Sequence, residues 1–443
     1  MCTEMTLLNR LLLAIAFWLV FPVMASSQDK DKEKLNNFTV DAELLTRGEV
    51  RDGGLPKEDD PNYSDKACFV IERTRLGLDY ERKFLKTHIT AQHAAVWGEA
   101  GGGSLSIYEA WAQLTAKNGL FAKIGRQVIS YDDERIIGSD DWTMAALSHD
   151  LLKVGYEDDI HKVHAMFAFN QNDESVNGGT LYINGDKPYK YMQNLWYHYD
   201  HPRVPFGASL LFMNLGIQGN DPYNIRKTHF QQLIGTYMSY TPENWSAEGS
   251  FYYQFGRNDF GAEISAWMAS AKGTYQPSQK WNLSAGYDFL SGDPFFSVHE
   301  DGTSGLIYHK KIQGFSPVYG SHHKFYGAMD FFYVTTYYDG FSPGLENTYV
   351  GATYKPIDKL SIDATYHYLR TATKLEGMSK SLGHELELSL TYEPVKEVKL
   401  SIGYSYMHGD ETMERLKRVD SDRDLNWAWL NIIIRPKFLS LRW

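Results

Sequence analysis

The sequence has 443 residues and a formal net charge of −11, an acidic balance that argues against a nucleic-acid partner. Its two cysteines are too few for a disulfide framework. A mean hydropathy of −0.41 reads as soluble, yet it does not exclude a membrane protein built of strands, because such strands alternate apolar and polar residues.

The one long apolar run is Leu11–Met24, preceded by Arg10 and followed by Ala25. It predicts a secretory signal peptide over 1–25 and a mature chain starting near Ser26. The alternative is an N-terminal anchor, but about 14 apolar residues are short for a span. Cys2 leaves with the signal, and Cys68 stands alone as a small residue at a strand start. Residues 26–35 are charged and predict a mobile extension.

From residue 36 onward the chain alternates with period 2. In 360–368, for example, Leu360, Ile362, Ala364, Tyr366 and Tyr368 alternate with Ser361, Asp363, Thr365 and His367. The predicted strands are 36–51, 68–80, 85–97, 104–115, 120–128, 151–156, 161–170, 189–199, 205–215, 227–240, 245–257, 262–275, 281–291, 344–354, 360–369, 383–392, 398–408 and 424–435. Segment 151–156 is short and should begin earlier. Segment 189–215 carries apolar residues on both faces. Pro436 interrupts the last strand, although Leu439, Leu441 and Trp443 keep alternating beyond it.

Tiny connections at 81–84, 116–119, 157–160, 241–244, 355–359 and 393–397 alternate with long ones at 52–67, 129–150, 171–188, 216–226, 292–343 and 409–423. A soluble sandwich has no reason to sort its turns this way. A transmembrane antiparallel β-barrel of about 18 strands, of the bacterial outer-membrane type, does. The barrel would cover 36–443 with both ends periplasmic, and loop 292–343 sits where a lid or plug belongs. The 30 Tyr and 11 Trp fit aromatic girdles at two interfaces.

No phosphate-binding loop, dinucleotide fingerprint, zinc-protease or nucleophile-elbow motif occurs. Ser148, His149 and Asp150 are the residue types of a hydrolase triad, but consecutive side chains of an extended segment point to opposite sides. No enzyme activity and no cofactor are expected. The lumen-facing parity is cationic in the N-terminal half, with Arg47, Arg51, Arg73, Arg75, Lys86, Lys123, Lys153 and Lys162. In the C-terminal half it is more acidic, with Glu248, Asp288, Asp363, Glu385 and Glu387. A cationic wall in a low-dielectric channel attracts anions, and guanidinium groups can grip carboxylates in pairs. The alternative is internal pairing, with Glu49 on Arg73 or Arg75. Trp111, Tyr252 and Tyr349 either stack on sugar rings or simply fill space.

Arg126 falls on the lipid parity, where a charge at midplane costs about 2–4 kcal/mol. A bulge at Gly125 that re-aims Arg126 into the lumen resolves this; placement above the membrane is the alternative. The following loop holds Asp132, Asp133, Asp140 and Asp141. Two readings stay open: a calcium site of hard oxygen ligands without EF-hand spacing, or a solvated loop pairing with Arg126 and Arg135.

GRQVISYDDERIIGSDDW at 125–142, RTRLGLDYE at 73–81, YEAWAQL at 108–114 and HKFYGAMDF at 323–331 resemble the alginate-export porin family. The resemblance implies an 18-stranded monomeric barrel that passively exports an anionic polyuronate through an arginine-rich constriction. By motif position it implies Arg75 and Arg126 as constriction residues, with Arg47 and Arg73. The implied partners are an anionic polysaccharide or small anions, outer-membrane lipid and lipopolysaccharide, and periplasmic export machinery where transport is vectorial. The family's long late periplasmic turn is absent, since 393–397 is short and the long insert is 292–343. A general porin for small anions is the alternative.

Overall fold

The computed structural model describes residues 36–52, 66–183, 185, 187–219, 226–293, 311–332, 342–417 and 424–443. The expected signal segment 1–25 and extension 26–35 lie outside these residues, as do 294–310 and 333–341 of the long loop.

The strands in chain order are β1 (Asn36–Asp52), β2 (Ala67–Arg82), β3 (Leu85–Val96), β4 (Ser104–Thr115), β5 (Leu120–Gln127), β6 (His149–Glu157), β7 (His161–Phe169), β8 (Tyr191–Asp200), β9 (Phe206–Gln218), β10 (Thr228–Tyr240), β11 (Trp245–Arg257), β12 (Glu263–Ser278), β13 (Trp281–Leu290), β14 (Lys311–Ile312), β15 (Leu345–Ile357), β16 (Leu360–Arg370), β17 (Ser381–Val395), β18 (Val398–Gly409), β19 (Leu425–Ile434) and β20 (Lys437–Arg442). One short helix, α1 (Glu411–Lys417), lies between β18 and β19.

Neighbours along the chain pair antiparallel, and β1 pairs with β2 on one side and with β19 and β20 on the other. This closes the sheet and leaves no free edge. β14 is a two-residue parallel contact on β12, and β19 and β20 are two parts of one stave, so the barrel has 18 staves. Every expected strand is present. The segment expected to begin before 151 begins at His149.

Pro436 has no N–H to give to a ladder. Pairing with β1 slips there, between Val40 and Asp41, and then resumes to the chain end. Asn36 and Trp443 exchange backbone hydrogen bonds of 3.0 and 3.1 Å at the short-turn mouth.

The alternation decides which residues face outward. Leu44, Leu76, Ile89, Ile124, Leu210, Ile234, Val350 and Ile402 form an exposed aliphatic band. Trp245, Tyr275, Trp281, Tyr392 and Trp443 flank it at the short-turn end, and Trp97, Trp267, Tyr287 and Tyr366 towards the long-loop end. An apolar belt between two aromatic girdles matches a bilayer and its interfaces.

Candidate channel lumen

Two connections turn inward and fill the long-loop half of the barrel. Residues 128–148 enter after β5, and residues 311–332 lie against them. Ile137 and Tyr319 form a parallel bridge. Gly138 N–H donates to the Tyr319 carbonyl at 2.8 Å, and Ser321 N–H to the Glu134 carbonyl at 2.9 Å. Ile129, Ile136, Ile137 and Tyr319 pack on Met166, Met192, Met213, Leu233 and Met268, which are buried on the lumen face of β7–β12. This explains the two apolar faces of 189–215: one side meets lipid and the other meets the inturned loops. Of the long loop 292–343, expected as a lid or plug, residues 311–332 lie inside the barrel against 128–148. The segment 128–148, for which the sequence leaves a calcium site or a solvated acidic loop open, also turns inward. Its only sequence signal is the set of apolar residues Ile129, Tyr131, Ile136 and Ile137 among the acids.

Polar contacts pin both segments. Arg135 is buried; its Nε donates to Asp133 at 3.1 Å and its Nη1 to the Tyr326 hydroxyl at 3.0 Å. Nη1 also lies 3.1 Å from Asp288 of β13, and the guanidinium sits 4.0 Å above the Phe325 ring. Burial opposes the charge, but Tyr326, Asp288 and Asp133 hold the pKa above the ordinary arginine value. Glu385 and Glu387 of β17 accept the N–H groups of Met329 at 2.8 Å and Ala328 at 2.6 Å. Lys324 pairs with Glu134, which ties one inturned segment to the other.

The expected arginine cluster is lumenal, but carboxylates and loop carbonyls already occupy it. Arg73 Nη2 lies 2.7 Å from Glu43, and Arg75 Nη1 lies 2.8 Å from Asp141. Glu49 takes Arg47 at 2.8 Å and Arg51 at 3.0 Å, not Arg73 or Arg75. Register is the reason: Arg75 stands opposite Glu43 and Arg73 opposite Leu45, several residues along β1 from Glu49. Arg73 also donates to the carbonyls of Asp141 at 3.0 Å and Thr143 at 3.1 Å, and Arg47 donates to that of Trp142 at 3.0 Å. At the short-turn mouth Lys86 pairs with Glu81 and Lys162 with Asp200, each at 2.8 Å.

Lys123 and Lys153 differ. They stand directly opposite one another on β5 and β6, half-buried on the lumen wall. Lys123 Nζ lies 3.7 Å over the Trp111 ring, which stacks on His88 at 5.5 Å. Among the described residues no carboxylate comes within ion-pair distance of either ammonium. The nearby acids are engaged elsewhere: Glu109 accepts from Trp111 and from Val128 N–H, and Glu157 Oε1 lies 2.7 Å from His164 Nε2.

The inward placement expected for Arg126 is corrected. Pairing runs unbroken across Gly125 and Arg126 on both sides, so the parity is kept and Arg126 faces outward. It meets Asp150 at 2.8 Å and donates to the Ile107 carbonyl at 3.1 Å, near the long-loop rim. The bulge lies in β4 instead, where Tyr108 is the extra residue between Glu109, opposite Thr90, and Ile107, opposite Ala91. Gly125 has a φ of +121° and no room for a Cβ beside the Ala110 carbonyl. Gly125→Ala is expected to cost about 1–3 kcal/mol. The readout is a smaller folded fraction by heat-modifiable gel mobility, and an unchanged fraction would contradict it.

The calcium reading is likewise not met. Asp132 bonds Ser209 and Trp196, Asp133 bonds Arg135, and Asp141 bonds Arg73 and Arg75. Asp140 lies apart, its carboxyl pushed up by burial. Among the described residues no metal-holding group of three such side chains occurs.

Beneath the inturned loops, on the short-turn side, a cavity of about 340 Å³ opens between Arg135, Tyr237, Glu248, Lys272, Tyr349 and His367. Its charges are mixed. Of the aromatics considered for stacking, Tyr349 lines this cavity, Trp111 faces the lumen under Lys123, and Tyr252 is buried in packing.

A family model described as alginate export matches residues 99–424. No curated protein sequence matches the chain. Among solved structures, the chain is similar to Pseudomonas aeruginosa OccK2 (OpdF), with 12% identity, 91% of this chain and 98% of that one covered, and a TM-score of 0.62. Pseudomonas aeruginosa OccK9 (OpdG) gives 13% identity, coverage of 90% and 98%, and a TM-score of 0.61. Pseudomonas aeruginosa OccK2 (OpdF) in complex with glucuronate gives 12%, 91%, 98% and 0.60. At these identities the likeness is one of fold.

Proposed function

The chain belongs to the alginate export family and is an outer-membrane channel, not an enzyme, and from that premise we propose that it passes anionic saccharides of the uronate class by diffusion. The observation that carries this reading is the lysine pair. Lys123 and Lys153 face the lumen without carboxylate partners among the described residues, beside a Trp111–His88 stack. A cationic wall recruits the carboxylate, while an exposed ring face suits the apolar face of a sugar. The arginines Arg47, Arg51, Arg73 and Arg75 serve the same passage at the point where the inturned loop crosses the lumen. Lys86 and Lys162 line the short-turn mouth. The neighbour solved with glucuronate holds a ligand of this class. A barrel has no energy source, so net movement follows the gradient.

A second reading, a porin for small anions without polymer specificity, is favoured by the filled long-loop half. The cavity of about 340 Å³ below the inturned loops lies in the small-ligand range of about 300–1,000 Å³. Planar-bilayer recordings separate the two. Uronate passage predicts an anion-selective reversal potential and a current blocked by polyuronate but not by neutral dextran of matched length. Block by free glucuronate alone favours the small-anion porin, and cation preference overturns both.

A further inference from the structure

We propose that Asp141 is a built-in stand-in for a substrate carboxylate: it sits in a site made by Arg73 and Arg75, and an anionic saccharide displaces it with a carboxylate of its own. The inference rests on the uronate reading above and adds to it how the passage opens.

The site is built without the loop. Arg73 is fully buried and fixed by Glu43 through two hydrogen bonds of 2.7 and 3.0 Å. Arg75 is fixed by Gln92 at 2.8 Å and lies 3.9 Å over the Tyr108 ring. All of these groups belong to barrel strands, so two guanidinium groups stay pre-aimed at one point. Asp141 Oδ1 occupies that point, 2.8 Å from Arg75 Nη1 and 3.2 Å from Arg73 Nη2. Arg75 Nη2 is buried with no hydrogen-bond partner. As held, Asp141 leaves this donor unused, and a ligand oxygen placed differently from the Asp141 carboxylate would take it up.

The occupant is held less firmly than the site. The Asp141 side chain is 40% exposed, so a solute in the lumen can reach it. Its segment places Asp140 at φ +44° and Ala146 at φ +53°, left-handed conformations that non-glycine residues adopt at a cost. The rest of the clasp consists of main-chain carbonyls of Asp141, Trp142, Thr143 and Ala145 accepting from Arg73, Arg47 and Gln92, and of the Trp142 ring, which lies 4.0 Å from the Arg47 guanidinium and stacks on His323 at 4.1 Å. Neutral carbonyls are weaker acceptors for a guanidinium than a carboxylate is. A uronate supplies the carboxylate, and its ring hydroxyls can accept the donors that the carbonyls release. The apolar part of the plug, around Ile129, Ile137 and Tyr319, stays packed on the methionine wall. Only 139–147 moves, on the β1–β4 side.

The test uses the full mature chain in planar bilayers with glucuronate as the probe. Asp141→Asn keeps the shape and removes the competing charge. It is expected to raise the ligand-free open probability and to lower the half-effective glucuronate concentration by about tenfold or more. Asp140→Asn, outside the arginine pair, should keep the wild-type curve. In a Cys68→Ser, Met144→Cys protein, glucuronate should speed labelling by a membrane-impermeant maleimide, and glucose should not. An Asp141→Asn curve that overlays wild type, or labelling indifferent to glucuronate, overturns the displacement. Reversal potentials report on the permeation reading separately, so anion preference with either of those results sinks this inference alone.

Discussion

Arg135→Met channels are expected to conduct several times more current than wild type. Arg135 is the one buried cation among the described residues that touches both inturned segments and the barrel wall, through Asp133, Tyr326 and Asp288. Met fills much of the same volume and removes the charge. Asp288, which is 1% exposed, then stands buried without its cation. Breaking a buried pair from one side costs about 3–5 kcal/mol, equivalent to about 10²–10⁴ in the balance between plugged and unplugged states. The barrel itself does not depend on this contact, because its staves are held by closed main-chain ladders. Heat-modifiable mobility should therefore persist, while conductance and protease sensitivity of the 128–148 segment both rise. Wild-type conductance in a folded Arg135→Met barrel would show that the apolar packing alone retains the plug.

The second large effect is on selectivity. Lys123→Glu with Lys153→Glu replaces two positive charges by two negative ones at facing positions on the lumen wall. One unit charge acts on a passing ion about 8 Å away with about 2 kcal/mol at an effective dielectric of about 20. Salt at 0.1 M screens over about 10 Å and reduces this without abolishing it. Four units of change should move the anion-to-cation permeability ratio by about tenfold or more, enough to reverse its sign. Arg47→Gln should change selectivity far less, since it alters one unit of charge against four, at a side chain covered by the Trp142 carbonyl and ring. A double-Glu channel with the wild-type reversal potential would remove the lysine pair from the conduction path and with it the main support for the uronate reading.

The staves are legible in the alternation of the chain alone. Period-2 alternation settles which side chains meet lipid, and turn length settles which ends lie at each face. Even the weak points were informative: Pro436 marks the register slip, and the double apolar face of 189–215 marks the wall that receives the plug. The lumenal parity of the arginines and lysines followed from the same alternation.

Alternation does not give the height of Arg126 along its strand, so it leaves the inward bulge and a place above the membrane as alternatives. Arg126 lies near the rim and meets Asp150, a neighbour supplied by register across β5 and β6. Which cations are neutralised was likewise not legible, because Asp141 and Arg135 reach their partners only once the loops have turned inward, and Glu43 is matched to Arg73 and Arg75 only by the β1–β2 register. Strand periodicity is a local property of the chain and can be read residue by residue. Pairing across the lumen joins residues far apart in sequence, such as Arg75 with Asp141 and Arg135 with Tyr326, and only the tertiary structure decides it.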